Sequence, residues 1–221
     1  DWNRRSFLDG VDGLLGRMPD AVPAGVAARL GRHAAVLPVP IAERAWPVAE
    51  HRDPRLIVWN HRWEYDKAPE VFARALDRLG ERGYDFRLAL LGPRAPKIPA
   101  VLQALEERWS ARIVANGCLA RADYEAILHR AGIAVSTAIH EFQGLGMLEA
   151  AGAGAAPLVP DALVYPEQYP RAYRYPAGDV DALAARLGQW LGDPPPAPDV
   201  SAWSEVALRP SWARLLGEGG G

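Results

Sequence analysis

Leu56-Ile57-Val58-Trp59-Asn60-His61-Arg62-Trp63-Glu64-Tyr65-Asp66-Lys67-Ala68-Pro69 decides how this chain folds. A short apolar run, a charged turn and a proline placed where a helix can open make a strand, a loop and a helix start. Outward from it the same alternation repeats. The pattern predicts a strand over Leu56 to Trp59, a helix over Pro69 to Gly80, a strand over Phe86 to Leu91, a helix over Ala100 to Trp109 and a strand over Arg112 to Ala115. It continues with a helix over Tyr124 to Ala131, a strand over Ile133 to Thr137, a helix over Leu145 to Gly152 and a strand over Ala156 to Val159. Strands separated by single helices run parallel, because each crossover returns the chain to the same edge, and helices then cover both faces. The expected fold is an α/β doubly wound parallel sheet, Rossmann-like.

The flanks read differently. Phe7, Leu8, Val11, Leu14, Leu15 and Met18 recur at helical spacing until Met18-Pro19-Asp20, predicting an amphipathic helix. A short helix near Val26 to Leu30 leads into Ala35-Val36-Leu37-Pro38-Val39-Pro40, whose prolines suit an edge or connecting strand. Beyond the sheet, Val180 to Leu191 reads as a helix, Gly192 to Pro198 as a Pro-rich connector and Trp203 to Leu216 as a final helix. The chain opens at Asp1 without a Met, which suggests a piece of a longer protein.

Composition narrows the function. With 221 residues, 49% of them hydrophobic and 24% charged, the chain can bury a core. The 25 basic residues nearly cancel the 27 acidic ones, for a net charge of -2, so no broad nucleic-acid surface is advertised. Apolar runs stay far below the ~20 residues that cross a bilayer. A single cysteine, Cys118, excludes an intrachain disulfide or a Cys-based zinc site; it reads as a small buried hydrophobe in a cytoplasmic protein.

In open parallel sheets, ligands bind beyond the carboxyl ends of the strands. After the first strand, Arg62 and Lys67 stand just before a helix, whose N-terminal amides and dipole favour a diphosphate. The alternative is a solvated loop in which both cations pair with Glu64 and Asp66. After the strand at Ile133, Glu141 precedes a helix start near Gly144 and Glu149 lies inside that helix, facing the same crevice. Gly144 and Gly146 would let a ligand approach the first-turn amides, while the carboxylates accept hydrogen bonds from hydroxyls. That is the chemistry of a sugar nucleotide; the alternative is a capped helix with incidental acids. Gly92 and Gly117 are strand-exit glycines as often as ligand-lining ones. His140-Glu141 lacks the second histidine of a zincin helix, no Walker loop or Gly-x-Gly-x-x-Gly follows any strand, and His33, His51 and His129 are isolated.

These turns carry a resemblance. Arg62-x4-Lys67, followed by the Glu-x7-Glu element from Glu141 to Glu149, resembles the C-terminal donor-binding half of a retaining GT-B glycosyltransferase. Val58-Trp59-Asn60-His61-Arg62-Trp63-Glu64, Val135-Ser136-Thr137-Ala138 leading to His140-Glu141-Phe142, and Leu163-Val164-Tyr165-Pro166-Glu167 are similar to the tRNA-queuosine mannosyltransferase group. The resemblance implies an interdomain helix and connecting segment over 1–40, a donor-binding domain over 41–192 and a connector with a C-terminal helix over 193–221, the N-terminal acceptor domain being absent. It implies a hexosyltransferase using GDP-mannose or another nucleotide sugar, with no metal and no further cofactor, and a tRNA acceptor bound through the N-terminal domain. A non-RNA acceptor, or a non-catalytic nucleotide-sugar-binding module, is the alternative. By carry-over, Arg62 and Lys67 hold the diphosphate with the Gly144 and Leu145 amides, Glu141 contacts sugar hydroxyls, Glu149 the ribose, and the Leu119 backbone lies near the base. Two departures stand out: many such enzymes have glycine where this chain has His61 and Ala68, and Glu-Gly-Phe-Gly where it has Glu141-Phe142-Gln143-Gly144. On this reading Lys67→Ala weakens GDP binding with little change in melting.

Overall fold

A computed structural model describes residues 1–19, 23–42, 52–94 and 99–217. Asp20 and His51 lie outside the described residues. The elements are α1 (Trp2–Leu15), α2 (Val26–His33), β1 (Asp53–Asn60), α3 (Pro69–Glu81), β2 (Arg87–Leu91), α4 (Ala100–Trp109), β3 (Ile113–Gly117), α5 (Arg121–Arg130), β4 (Ala131–Val135), α6 (Leu145–Gly152), β5 (Ala156–Pro160), α7 (Tyr165–Gln168), β6 (Arg174–Tyr175), α8 (Val180–Trp190) and α9 (Glu205–Leu216).

The strands form one six-stranded sheet in the order β3-β2-β1-β4-β5-β6, and every pairing is parallel. This is the expected doubly wound, Rossmann-like fold. Successive residues of a strand point to opposite faces, so β1 feeds two cores. Ile57 and Trp59 pack with Phe72 and Leu76 of α3, Leu102 of α4 and Leu187 of α8. Leu56 and Val58 pack with Leu128 of α5 and with Met147 and Leu148 of α6. Fully burying one such side chain is worth roughly 1.5–3 kcal/mol. β4 and β5 are buried at every position, whereas β3, at the sheet edge, alternates between half-exposed and exposed residues until Gly117.

The flanks depart from expectation. α1 begins at Trp2, five residues before the apolar pattern, and ends at Leu15. Arg4 anchors it to α2 through the carbonyls of Gly31 and Ala34. Its apolar positions are not all covered, since Phe7 and Leu14 are exposed. Residues 35–40 form no strand: Pro38 and Pro40 have no N–H to give to a ladder. Instead the Gln143 side chain bonds both backbone groups of Val39, and only Ile41 bridges, to Ser204. α9 starts at Glu205 rather than Trp203, because the Ser204 hydroxyl accepts from Ala207 N and fixes the N-cap there. Trp212 Nε1 ties α9 to Pro38 O. Periodicity gave no sign of the short α7 and β6. Among the described residues no helix is long and apolar enough to cross a membrane.

Candidate functional site

The strand order reverses between β1 and β4, which opens a crevice beyond their carboxyl ends. Two turns fill it. The first, after β1, is pinned by Trp63, which is fully buried and whose backbone N–H donates to Pro93 O. A 3₁₀ turn over Tyr65–Lys67 follows, and Ala68 enters α3 in the left-handed region at φ 42°. The second turn links β4 to α6, and the two are stitched together. Ile139 N and His140 N donate to Asp66 O. Thr137 Oγ1 donates to Lys67 O and accepts from Trp59 Nε1.

That stitching buries Lys67. Its side chain is 8% exposed, and its ammonium lies 3.2 Å from both Asp66 Oδ2 and Glu141 Oε2 while donating to His140 O at 2.9 Å. Arg62 is the opposite. Its side chain is 57% exposed, 3.3 Å from Glu64 and 3.8 Å from Asp66. The expected pairing with Glu64 and Asp66 is therefore present for Arg62, and Asp66 also pairs with Lys67, but the loop is not a solvated one. Lys67→Ala would leave the Glu141 carboxylate without its cation and Asp66 with only the exposed Arg62 at 3.8 Å, so a loss of stability is expected in place of little change in melting.

α6 opens at Gly144, which sits in the left-handed region at φ 66° and ψ 48°, with the Tyr165 ring against it. Met147 N is the first amide to donate back, to Gly144 O at 3.0 Å, so the Leu145 and Gly146 amides precede the helix's own ladder. Gly146 also lines the cavity and serves packing: a Cβ there would lie 2.9 Å from the Asn60 carbonyl oxygen, and Asn60 Nδ2 donates to Gly146 O.

Together these elements enclose a cavity of about 540 Å³ lined by Arg62, Asp66, Lys67, Glu141, Gly144 and Leu145, among others. A second compartment of about 260 Å³ is lined by Gly92, Gly117, Cys118, Leu119 and Tyr124. Asn60, His61 and Arg62 belong to both. The first compartment falls in the size range of small-molecule sites. Arg62, Lys67, Glu141, Gly144, Leu145 and Leu119 are thus brought to one crevice. Glu149 lines neither compartment: its carboxylate accepts from Tyr124 OH at 2.7 Å and pairs with Arg121 at 3.0 Å. Burial, and then the charge of Glu149, push the Tyr124 phenol up, so it remains a neutral donor. Cys118 is exposed rather than buried; it directly follows β3, the strand at the sheet edge.

His61, Asn60 and Tyr124 are crevice residues that motif matching did not assign. His61 stands at a position where the resemblance expects glycine, and that departure was the available signal. For Asn60 and Tyr124 there was none, since their hydrogen bond joins residues 64 positions apart.

A family model described as Glycosyl transferases group 1 matches residues 54–193. A tRNA-queuosine alpha-mannosyltransferase of Drosophila melanogaster is 35% identical over 185 residues, 79% of this chain and 49% of that protein. The chain thus spans about half the length of this relative. Among solved structures, a sucrose-phosphate synthase from Thermosynechococcus elongatus aligns with a TM-score of 0.68 at 16% identity, over 83% of this chain and 52% of that one. AviGT4, a glycosyltransferase involved in avilamycin A biosynthesis, aligns with a TM-score of 0.63 at 16% identity, over 88% and 62%.

Proposed function

The chain belongs to the glycosyl transferases group 1 family, and from that premise we propose that it is the donor-binding half of a retaining mannosyltransferase that moves mannose from GDP-mannose to the queuosine base of a tRNA. The observation that carries the donor role is the convergence of Arg62, Lys67, Glu141 and the N-terminus of α6 on one cavity. The named Drosophila relative supports the sugar and the acceptor.

The chemistry follows from charge. When the glycosidic C–O bond breaks, negative charge grows on the departing diphosphate. Arg62, Lys67 and the Gly144 and Leu145 amides are already in place to meet it, so they stabilise the transition state more than the ground state. Removing one such donor costs ~10²- to 10³-fold in rate. Glu141, at the cavity wall, accepts from sugar hydroxyls. Leu119 and its neighbouring glycine backbone take the base, and Glu149, with Tyr124 between it and the cavity, orders the ribose side. The acceptor hydroxyl attacks from the face the diphosphate leaves, its proton passing to a phosphate oxygen, so the sugar keeps its configuration without a protein nucleophile.

Calorimetric titration of the 221-residue chain with GDP, UDP and ADP tests the donor role. GDP is expected to bind tightest; absence of binding by all three overturns the proposal. For the acceptor, the longer protein is expected to bind tRNA with an affinity that falls steeply with salt and to transfer mannose to it. Transfer only to a small-molecule acceptor rules out the RNA assignment.

A further inference from the structure

His61 has no role in the mechanism above, yet it is buried as deeply as Lys67, at 7% against 6% exposure. It lines both compartments of the crevice. Trp59 meets its ring edge-on with centroids 5.1 Å apart, and the Val135 backbone of β4 lies beside it. Its Nε2 is buried and makes no hydrogen bond within the protein. Buried polar atoms are nearly always partnered, so an orphan in a cavity wall points to a ligand.

Charge says which part of the ligand. The charged groups that act on the ring are Lys67 and Asp66 from the turn after β1 and Glu141 from the turn after β4, and Arg62 and His140 line the same cavity. With Glu64, the carboxylates of this cluster outnumber its cations. A diphosphate adds more negative charge to that cluster, and it is also the part of a nucleotide sugar that joins the base-side compartment to the sugar-side one. We propose that His61 is a third phosphate-binding side chain of this crevice, that its Nε2 donates to a diphosphate oxygen where the compartments meet, and that the ring acquires the proton it donates as the diphosphate binds. The proton comes from solvent, and the ring becomes imidazolium with its Nε2 donating to phosphate. The direction agrees with the ring's state in the protein alone: burial, and then Lys67, push its pKa down to about 4, so it begins neutral near pH 6.

This inference rests on the donor-binding reading. The test is calorimetry at about pH 6, just below the histidine reference value, with GDP-mannose and with GDP-glucose, diphosphate diesters that carry no terminal phosphate group ionising near that pH, in two buffers of different ionisation enthalpy. The chain is expected to take up a substantial fraction of a proton with either ligand. His61→Gln is expected to take up none and to bind both ~10-fold more weakly, the scale of one charge-assisted hydrogen bond. Proton uptake that persists in His61→Gln places the proton on Asp66 or Glu141 and overturns the proposal, as does unchanged affinity. The imidazole proton resonances of the unmutated chain provide a readout independent of the variant's folding: they are expected to shift to imidazolium positions on adding GDP, and a ring that stays neutral overturns the proposal. If the chain binds none of GDP, UDP and ADP, the donor reading fails and takes this one with it. GDP binding that ignores His61 sinks this inference alone.

Discussion

The turn after β1 and the turn after β3 bound the same crevice and are built on opposite principles. The first is charged and buried, with Lys67 clamped by Asp66, Glu141 and a backbone carbonyl. The second, Gly117-Cys118-Leu119, offers mostly backbone and an exposed thiol. Sheet position explains the contrast. β1 lies in the middle of the sheet with helices on both faces, and Lys67 in the turn beyond it leaves water and must be paired, while Arg62 in the same turn stays exposed. β3 lies at the edge, where the chain stays wet and needs no such pairing. A central turn can therefore preorganise charge for chemistry, while an edge turn supplies shape for recognition.

The sharpest way to break that comparison is Lys67→Ala. Removing one partner of a buried ion cluster leaves uncompensated charge, and a loss of about 3–5 kcal/mol in denaturant unfolding is expected. Arg62→Ala, exposed and loosely paired, is expected to stay within about 0.5 kcal/mol of the parent while still weakening GDP binding. Equal stability of the two variants would mean that Lys67 is no more buried in solution than Arg62.

Acidification probes the same centre. The His61 pKa is depressed to about 4 in the folded protein, against about 6.5 unfolded. Between those values the unfolded chain binds the extra proton, so stability present above about pH 6.5 falls as the pH drops towards 4. The whole loss is about 3 kcal/mol. In His61→Gln this part of the pH slope is expected to disappear; an unchanged slope would assign it to other groups.

The edge side predicts smaller effects. Tyr124→Phe removes the donor to Glu149 and the acceptor for Asn60, which is expected to cost about 1–2 kcal/mol in the same unfolding experiment. Smallest of all, Cys118→Ser is expected to be nearly neutral, and Cys118 should react with a thiol reagent in the folded state. Protection of the thiol until unfolding would show that the edge turn is covered after all.

Much of this was legible in the residues. Short apolar runs separated by helical periods dictated a parallel sheet, and Pro69 and Leu145 mark helix starts that the structure reproduces. The spacing of Arg62, Lys67 and Glu141 put their side chains at strand ends, which is where they meet. Glu149 was harder. Its spacing from Glu141 places it inside α6, but Arg121 and Tyr124 reach its carboxylate from α5, a neighbour that local pattern does not name. Residues 35–40 looked like a strand because apolar residues alternate with prolines, yet a strand needs a partner ladder, and proline denies it one.

The amino-acid sequence alone determined the fold class, the strand-to-helix turns that carry chemistry and the identity of the charged groups there, because hydrophobic period and helix-start residues act over a few neighbours. Only the tertiary structure decided which of those groups are buried, which are paired and which polar atom is left over. Those outcomes depend on β1 and β4 becoming neighbours across 70 residues of intervening chain, and burial is a property of the assembled sheet rather than of any segment of it.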